Sequence, residues 1–277
     1  MISHDLVRSA LGPFDDFQFL GSGTFGQTYR VRRGSDEFAL KIIHFSGLAA
    51  YMLDREVEAL RRLQHPNVMG LRSHGVVVLD GEDRPYLVCE YVNGPSVHKA
   101  GESGSKPSIA ADLRTFLAGL LSAARELSLN GIIHRDIKPE NIVLRGSSWR
   151  EPVLLDFGVA KVVDMTSHTG LPAWRGTWPF MAPEQLRGKR ASFRSDLFAI
   201  ATVVYLAGTG SPPYHTSAMR DGQELLHRIL NGPPTDPRRV SSLFDDDVAE
   251  VLLRLLSPES HQRLDVDRAL SDLGTRT

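Results

Sequence analysis

Cysteine is almost missing from this chain: Cys89 is the single one in 277 residues. One thiol cannot form an intrachain disulfide, and such a composition points to a reducing compartment, the cytoplasm. Net charge is nearly missing too, with 32 Lys and Arg against 33 Asp and Glu. That balance leaves no electrostatic footprint for nucleic acid or for a membrane surface over the chain as a whole. A membrane segment is also lacking, because the most apolar run, residues 197–207, is about half the length a bilayer requires. Residues 1–16 carry Asp5, Asp15 and Asp16 and no apolar core, so they do not read as a signal peptide. Internal repeats and long low-complexity tracts are absent. The length is more than one small domain needs and suits a single unit made of two lobes.

What is present is concentrated in one octet, His134-Arg135-Asp136-Ile137-Lys138-Pro139-Glu140-Asn141. Pro139 disfavours helical geometry at the residue before it, so the octet reads as an ordered loop. In a loop, side chains spaced by two and then three residues can converge on one point. Asp136 can accept a proton from a hydroxyl, Lys138 can hold a phosphoryl oxygen, and the carbonyl oxygen of Asn141 can face Mg²⁺, which prefers hard oxygen ligands. An apolar run, Val153-Leu154-Leu155, ends at Asp156-Phe157-Gly158, and Asp156 supplies a carboxylate for the same metal. A surface loop with solvated charges would explain an isolated D-x-K. It does not explain that octet followed fifteen residues later by D-F-G.

With these motifs the chain resembles a eukaryotic-type (Hanks-type) serine/threonine protein kinase catalytic domain, whose signature combines H-R-D-x-x-x-x-N, D-F-G, A-P-E, a glycine-rich loop and a strand lysine. The resemblance covers roughly residues 17–271. It implies an α+β, bilobal protein-kinase-like fold, with a small antiparallel-sheet N-lobe carrying one helix (about residues 15–92) and a larger, mainly helical C-lobe (about 93–272), within one domain spanning 1–277. It also implies ATP as co-substrate and Mg²⁺ as the metal, with Mn²⁺ as a substitute.

Taken in order, residues 1–14 read as a short helical lead-in and 17–20 as a strand. Gly21-Ser22-Gly23-Thr24-Phe25-Gly26 follows, and β-type residues resume at Thr28. A G-x-G-x-x-G of the dinucleotide type opens a helix, so strand–loop–strand is the better reading here. Glycines let backbone N–H groups approach phosphates closely, although an ordinary glycine hairpin fits the same residues. Residues 38–43 form the next strand, in which Lys41 is the only charge. By itself that is a lysine snorkelling from an edge. With Ala39 two residues before it, the kinase pattern makes Lys41 the contact to the α- and β-phosphates, paired with a helix glutamate. Residues 52–63 are helical by period, and Leu53, Val57, Leu60 and Leu63 share an arc of about 120°. Glu56 lies inside that arc and Glu58 opposite it, and a carboxylate on a buried stripe needs a partner. Glu56 is therefore assigned to Lys41.

Residues 76–79 and 86–90 read as strands joined by Asp80-Gly81-Glu82-Asp83, and Val92-Asn93-Gly94-Pro95 marks the lobe boundary. By resemblance, Glu90, Tyr91 and Val92 form the hinge that pairs with adenine, Cys89 is the gatekeeper, Val143 packs under the base, and Thr28 stands where a valine usually covers it. Residues 94–107 are rich in Gly, Ser, Pro and Lys. No helix is expected there, unlike in most kinases, and the ribose contact stays unassigned. The spacing 113, 116, 117, 120, 121, 124, 127 predicts an amphipathic helix, and residues 142–144 a strand. Beyond Gly158 a long polar stretch runs to Gly176-Thr177 and Ala182-Pro183-Glu184, and loops of that length are usually functional. A helix over 197–207, apolar all round, belongs at the centre of the larger lobe. Asp196 at its start can accept backbone N–H bonds, and the family places such an Asp beneath the catalytic loop. Further helices are expected over 223–231 and 247–256. Arg263 resembles the arginine that pairs with the A-P-E glutamate, here Glu184.

Lys138 together with Thr177 resembles Ser/Thr rather than tyrosine kinases, and Pro183-Glu184-Gln185 with the short loops looks bacterial. The implied partners are proteins bearing Ser or Thr, and a second copy of the chain for trans-autophosphorylation. Arg135 before the catalytic Asp136 commonly marks kinases whose loop is ordered by phosphorylation, and Thr169 is preferred as acceptor over Thr166 and Ser167. Two other readings stay open: a pseudokinase that binds ATP as a scaffold, and a small-molecule phosphotransferase of related fold. The chain ends just past the core such domains share, and a longer receptor or modular protein would accommodate it.

Overall fold

A five-stranded antiparallel sheet, a two-stranded ribbon and eight helices, separated into two units, make up the regular structure among the described residues. The structure is a computed structural model, and it describes residues 2–23, 26–44, 57, 60–61, 63–155, 178–214 and 222–274. The expectations for Thr24, Phe25, Glu56, Glu58, Asp156, Thr166, Ser167, Thr169 and Thr177 fall outside those residues.

In the small unit, which takes in the described residues up to Val92, the strands are β1 (Asp16–Gly23), β2 (Gly26–Arg33), β3 (Asp36–Ile43), β4 (Leu71–Leu79) and β5 (Glu82–Glu90), in the order β1-β2-β3-β5-β4. β1 and β2 pair up to Gly23 opposite Gly26, so the glycine motif is a hairpin as its β-type neighbours predict. The β4–β5 turn is tighter than the four residues expected. Asp80 (φ 54°) and Gly81 (φ 76°) turn the chain alone, the positive-φ pair that a two-residue hairpin requires.

Residue alternation gives this sheet two different faces. Tyr29, Val31, Leu40 and Ile42 are buried on one, packed with Ile2, Val7 and Leu79. Ile2 and Val7 belong to the lead-in, whose helix α1 (His4–Leu11) therefore helps to close this core. Gln27, fully buried, fastens it: its Oε1 accepts from Ile2 N at 2.8 Å and its Nε2 donates to Ile2 O at 3.1 Å. Val57, Leu60 and Leu63, the apolar stripe expected of the second helix, are each buried, and residues 57, 60 and 61 are helical.

The large unit begins at Asn93. Its helices are α2 (Val97–Glu102), α3 (Ala110–Leu129), α4 (Pro183–Leu186), α5 (Phe193–Thr209), α6 (Gly222–Asn231), α7 (Asp246–Leu255) and α8 (Val266–Asp272), with a two-stranded ribbon of β6 (Ile142–Leu144) and β7 (Pro152–Leu154). α2 corrects the expectation that residues 94–107 lack a helix. Ser96 caps it by accepting from Lys99 N at 3.2 Å, Val97 and Ala100 are buried, and Gly104 (φ 77°) ends the turn. Capping and two apolar contacts outweigh a poor composition. α5 starts four residues earlier than the apolar run, and every residue of it from Ser195 to Tyr205 is buried. It packs on α3, whose inward stripe includes Leu113, Phe116, Leu117, Leu120 and Leu121. α8 escaped the sequence reading. Its signal was Asp265, whose side chain accepts from Arg268 N at 2.8 Å as an N-cap.

Candidate active site

The loop that follows α3 is held from below by one carboxylate. Asp196 Oδ2 accepts from His134 N at 2.7 Å and Oδ1 from Arg135 N at 2.9 Å. The expectation that Asp196 binds backbone N–H groups holds, and the groups are those of the octet. Arg135 has φ 66°, a left-handed conformation that costs a non-glycine residue about 1–3 kcal/mol and persists only where its surroundings impose it. The two bonds to Asp196 are such a constraint.

His134, fully buried, sets the far side of the loop. Its Nε2 lies 2.9 Å from Leu155 O. A carbonyl can only accept, so Nε2 carries the proton. Nδ1 is then the acceptor for Asp136 N at 3.4 Å, and the ring is the neutral tautomer. Leu155 N in turn donates to Asn141 O at 2.8 Å. The octet and the residue just before Asp156 are thereby tied together.

The three expected side chains converge within the octet. Lys138 Nζ lies 3.1 Å from Asp136 Oδ2. Asn141 Nδ2 donates to the same Oδ2 at 3.0 Å and to Asp136 O at 2.8 Å. These two bonds orient the Asn141 amide and turn its Oδ1, the group able to bind a hard cation, away from Asp136. Asp136 retains 12% side-chain exposure and Lys138 21%, so both can be reached. Among the described residues no cluster of three His, Cys, Asp or Glu could hold a metal; the second ligand expected, Asp156, is not among them.

In the small unit, the sheet face opposite α1 carries the other candidates. Lys41 is flanked on its strand by Leu40 and Ile42, which point to the core. It pairs with Thr28 on one side and Leu87 on the other. Ala39 pairs with Cys89, which is buried, so Thr28, Lys41, Ala39 and Cys89 share a face. Glu90 N is committed to Gly70 O at 2.8 Å. The three glycines of the hairpin differ in what they are for. A Cβ on Gly26 would meet Ile42 O at 2.2 Å, whereas Gly21 and Gly23 have open space. Gly26 is required by the sheet itself, and only the first two leave room for a ligand.

In the large unit Val143 pairs with Val153 and bridges to Ser96. The segment before it approaches closely: Leu144 N donates to Pro95 O at 2.9 Å and Gly146 N to Asn93 O at 2.8 Å. Gly94 sits at φ 151°, with Leu144 O 1.9 Å from where a Cβ would be. The sequence reading took Gly94 only as a breaker, because the strand that excludes a side chain there lies fifty residues on.

A second buried device lies under the segment that closes the long loop. Arg263 donates from Nη1 to Glu184 Oε1 and from Nη2 to Oε2, both at 2.8 Å. Its other N–H groups reach Ser257 O, Arg194 O and Pro258 O, so all five donors are used. Ser195 Oγ donates to Glu184 Oε1 at 2.7 Å. Burial by itself would raise the Glu184 pKa, but the bonds from Arg263 and Ser195 and the guanidinium charge hold it below the usual carboxylate range. The pairing expected from Arg263 is therefore present.

Three comparisons bear on this arrangement. The sequence model described as "Protein kinase domain" matches residues 14–273. A DNA damage-responsive serine/threonine-protein kinase, RqkA of Deinococcus radiodurans, is 32% identical over 269 residues, covering 95% of this chain and 39% of its own. A probable serine/threonine-protein kinase, PkwA of Thermomonospora curvata, is 32% identical over 272 residues, covering 96% of this chain and 34% of its own. The chain thus spans between about a third and two fifths of the length of these curated relatives. Among solved structures, Rad53 1–466 in complex with AMP-PNP superposes with a TM-score of 0.74 at 24% identity, over 94% of this chain and 66% of that one, which shows the bilobal fold class.

Proposed function

The chain belongs to the protein kinase domain family, and from that premise we propose that it transfers the γ-phosphoryl group of ATP to serine and threonine hydroxyls of proteins. The observation that carries the reading is the meeting of Lys138 and Asn141 on one oxygen of Asp136, held on a backbone that Asp196 clamps. In the step, the substrate hydroxyl oxygen forms a bond to the γ-phosphorus and the bond from that phosphorus to the β–γ bridging oxygen breaks. ADP leaves and the hydroxyl proton passes to Asp136. Lys138 steadies the oxygens of the group in flight. Lys41, with Glu56 as its expected partner, would hold the α- and β-phosphates, and Gly21, Ser22 and Gly23 would lend backbone N–H groups. Cys89, Glu90, Val92, Ala39, Thr28 and Val143 would frame the base. Mg²⁺, held by Asn141 Oδ1 and Asp156, would neutralise phosphate charge. The orientation of the Asn141 amide suits that ligand role. Most of the rate comes from such positioning and neutralisation.

The expected compartment is the cytoplasm, and no helix among the described residues is long and apolar enough to cross a membrane. The test is transfer of label from ATP radiolabelled at the γ-phosphorus to a generic protein substrate with Mg²⁺, wild type beside Asp136→Asn. The variant should lose at least about a hundredfold in turnover and still bind nucleotide. Nucleotide binding without transfer by the wild type would favour a scaffold, and transfer only to small molecules would favour the related phosphotransferases.

A further inference from the structure

The sheet of the small unit carries a cavity of about 230 Å³ on the face away from Lys41. Leu11, Phe14, Phe38, Tyr86 and Val88, each half-buried, line it together with Val31 and Leu40, which are almost fully buried. An apolar chamber of about 150 Å³ is enough to take up benzene and stays dry when empty. This one is open to solvent and partly polar in its lining, and by volume it has room for a body of two fused rings.

The remaining lining is polar and of one sign. Arg33, Arg72 and Ser73, all exposed, complete it among the described residues, with no acidic side chain in that described lining. Arg33 is already engaged: it donates to Leu11 O at 2.7 Å and lies 4.7 Å over the Phe14 ring. Its role is to hold the N-terminal segment at Leu11 and Phe14. Arg72 has no hydrogen bond or ion pair among the described residues. A guanidinium with no carboxylate partner among the described residues, beside half-buried apolar side chains, is complementary to an anion with an apolar body, and its fork geometry suits a carboxylate.

We propose that this cavity binds a small amphipathic carboxylate, with its ring system against Phe38, Tyr86 and Val88 and its carboxylate on Arg72. A nucleotide is a poor match, because a chain of phosphates would need far more donors than Arg72 and Ser73 supply. Binding here does not depend on the phosphotransfer reading, since the site shares no residue with it.

The probe is 1-naphthoate, with neutral 1-naphthamide as its control, titrated calorimetrically into the whole protein. Naphthoate should bind with a Kd below about 1 mM and at least about tenfold more tightly than the amide, the share expected of a charge-assisted bond. Arg72→Gln, an exposed change, should remove the preference for the acid while leaving the melting temperature in place. Val88→Phe should weaken both probes by filling the chamber. Should that variant fold poorly, the shifts of the Val31, Leu40 and Val88 methyl resonances in wild type on adding naphthoate answer the same question. No binding at millimolar naphthoate, binding indifferent to Arg72→Gln, or shifts confined to residues on the Lys41 face would each overturn the proposal.

Discussion

Replacing Asp196 by asparagine removes one acceptor oxygen and one charge from beneath the octet. The carboxylate accepts from His134 N at 2.7 Å and from Arg135 N at 2.9 Å. In the Asp196→Asn variant one of those oxygens becomes an NH₂, which cannot accept and faces a donor. A hydrogen bond to a charged group contributes about 1.5–3 kcal/mol, and a buried donor left without a partner costs a similar amount. The surviving bond, now neutral, is roughly half as strong as before. A net loss of about 3 kcal/mol follows from these magnitudes. Arg135 at φ 66° adds to it, because the strain held there is released when the loop relaxes. About 3 kcal/mol corresponds to roughly a hundredfold change in the population of the ordered loop. In a chain of this size it also corresponds to a fall in Tm of about 6–12 °C. The assay is steady-state phosphorylation at varied ATP beside a thermal melt. We expect kcat to fall at least tenfold with the KM for ATP within about threefold of wild type, since Asp196 bonds to His134 and Arg135 and to none of the residues proposed to frame the base. A variant with turnover within twofold of wild type and an unchanged melt would refute the clamp.

Three further outcomes can be checked. The depressed pKa of Glu184 means that its contribution to stability is complete above the ordinary value of 4.5 and is lost as the pH falls through the lower folded value. Acid titration followed by circular dichroism should therefore find Glu184→Gln less stable than wild type at pH 7 by about 3–5 kcal/mol, with the gap closing in acid. Gly94→Ala should lower stability by more than about 1 kcal/mol in a denaturant titration, because a Cβ there would stand 1.9 Å from Leu144 O at φ 151°; a neutral result would mean that the 93–95 segment moves freely. Autophosphorylation is expected chiefly on Thr169, with Arg135 as the cation that would receive the phosphate. Thr169→Ala should slow phosphorylation of added substrates while nucleotide binding persists, and mass spectrometry of wild type beside Asp136→Asn should find the loop phosphate only in the former.

Motifs made of neighbours were readable from the chain alone. Asp136, Lys138 and Asn141 lie within six residues, and a loop broken by Pro139 has few ways to keep them apart. The glycine hairpin was readable because β-type residues follow Gly26, and α3 because its apolar period runs along the whole helix. Local chemistry misled where capping outweighed composition, as at Ser96 and α2, and it stayed silent where a partner lies far along the chain. Nothing near Gly94 announces Leu144, nothing near Gln27 announces Ile2, and nothing in residues 1–14 announces that they pack on one face of the sheet. The sequence by itself determined the family, the residues of the octet and the order of most elements, because those depend on contacts over a few residues. Only the tertiary structure decided which N–H groups Asp196 clamps, that the donors of Arg263 not spent on Glu184 reach Ser257, Arg194 and Pro258, and that Arg72 borders a cavity whose described lining holds no acidic side chain. Those facts depend on which distant groups packing brings together, and no local pattern encodes that.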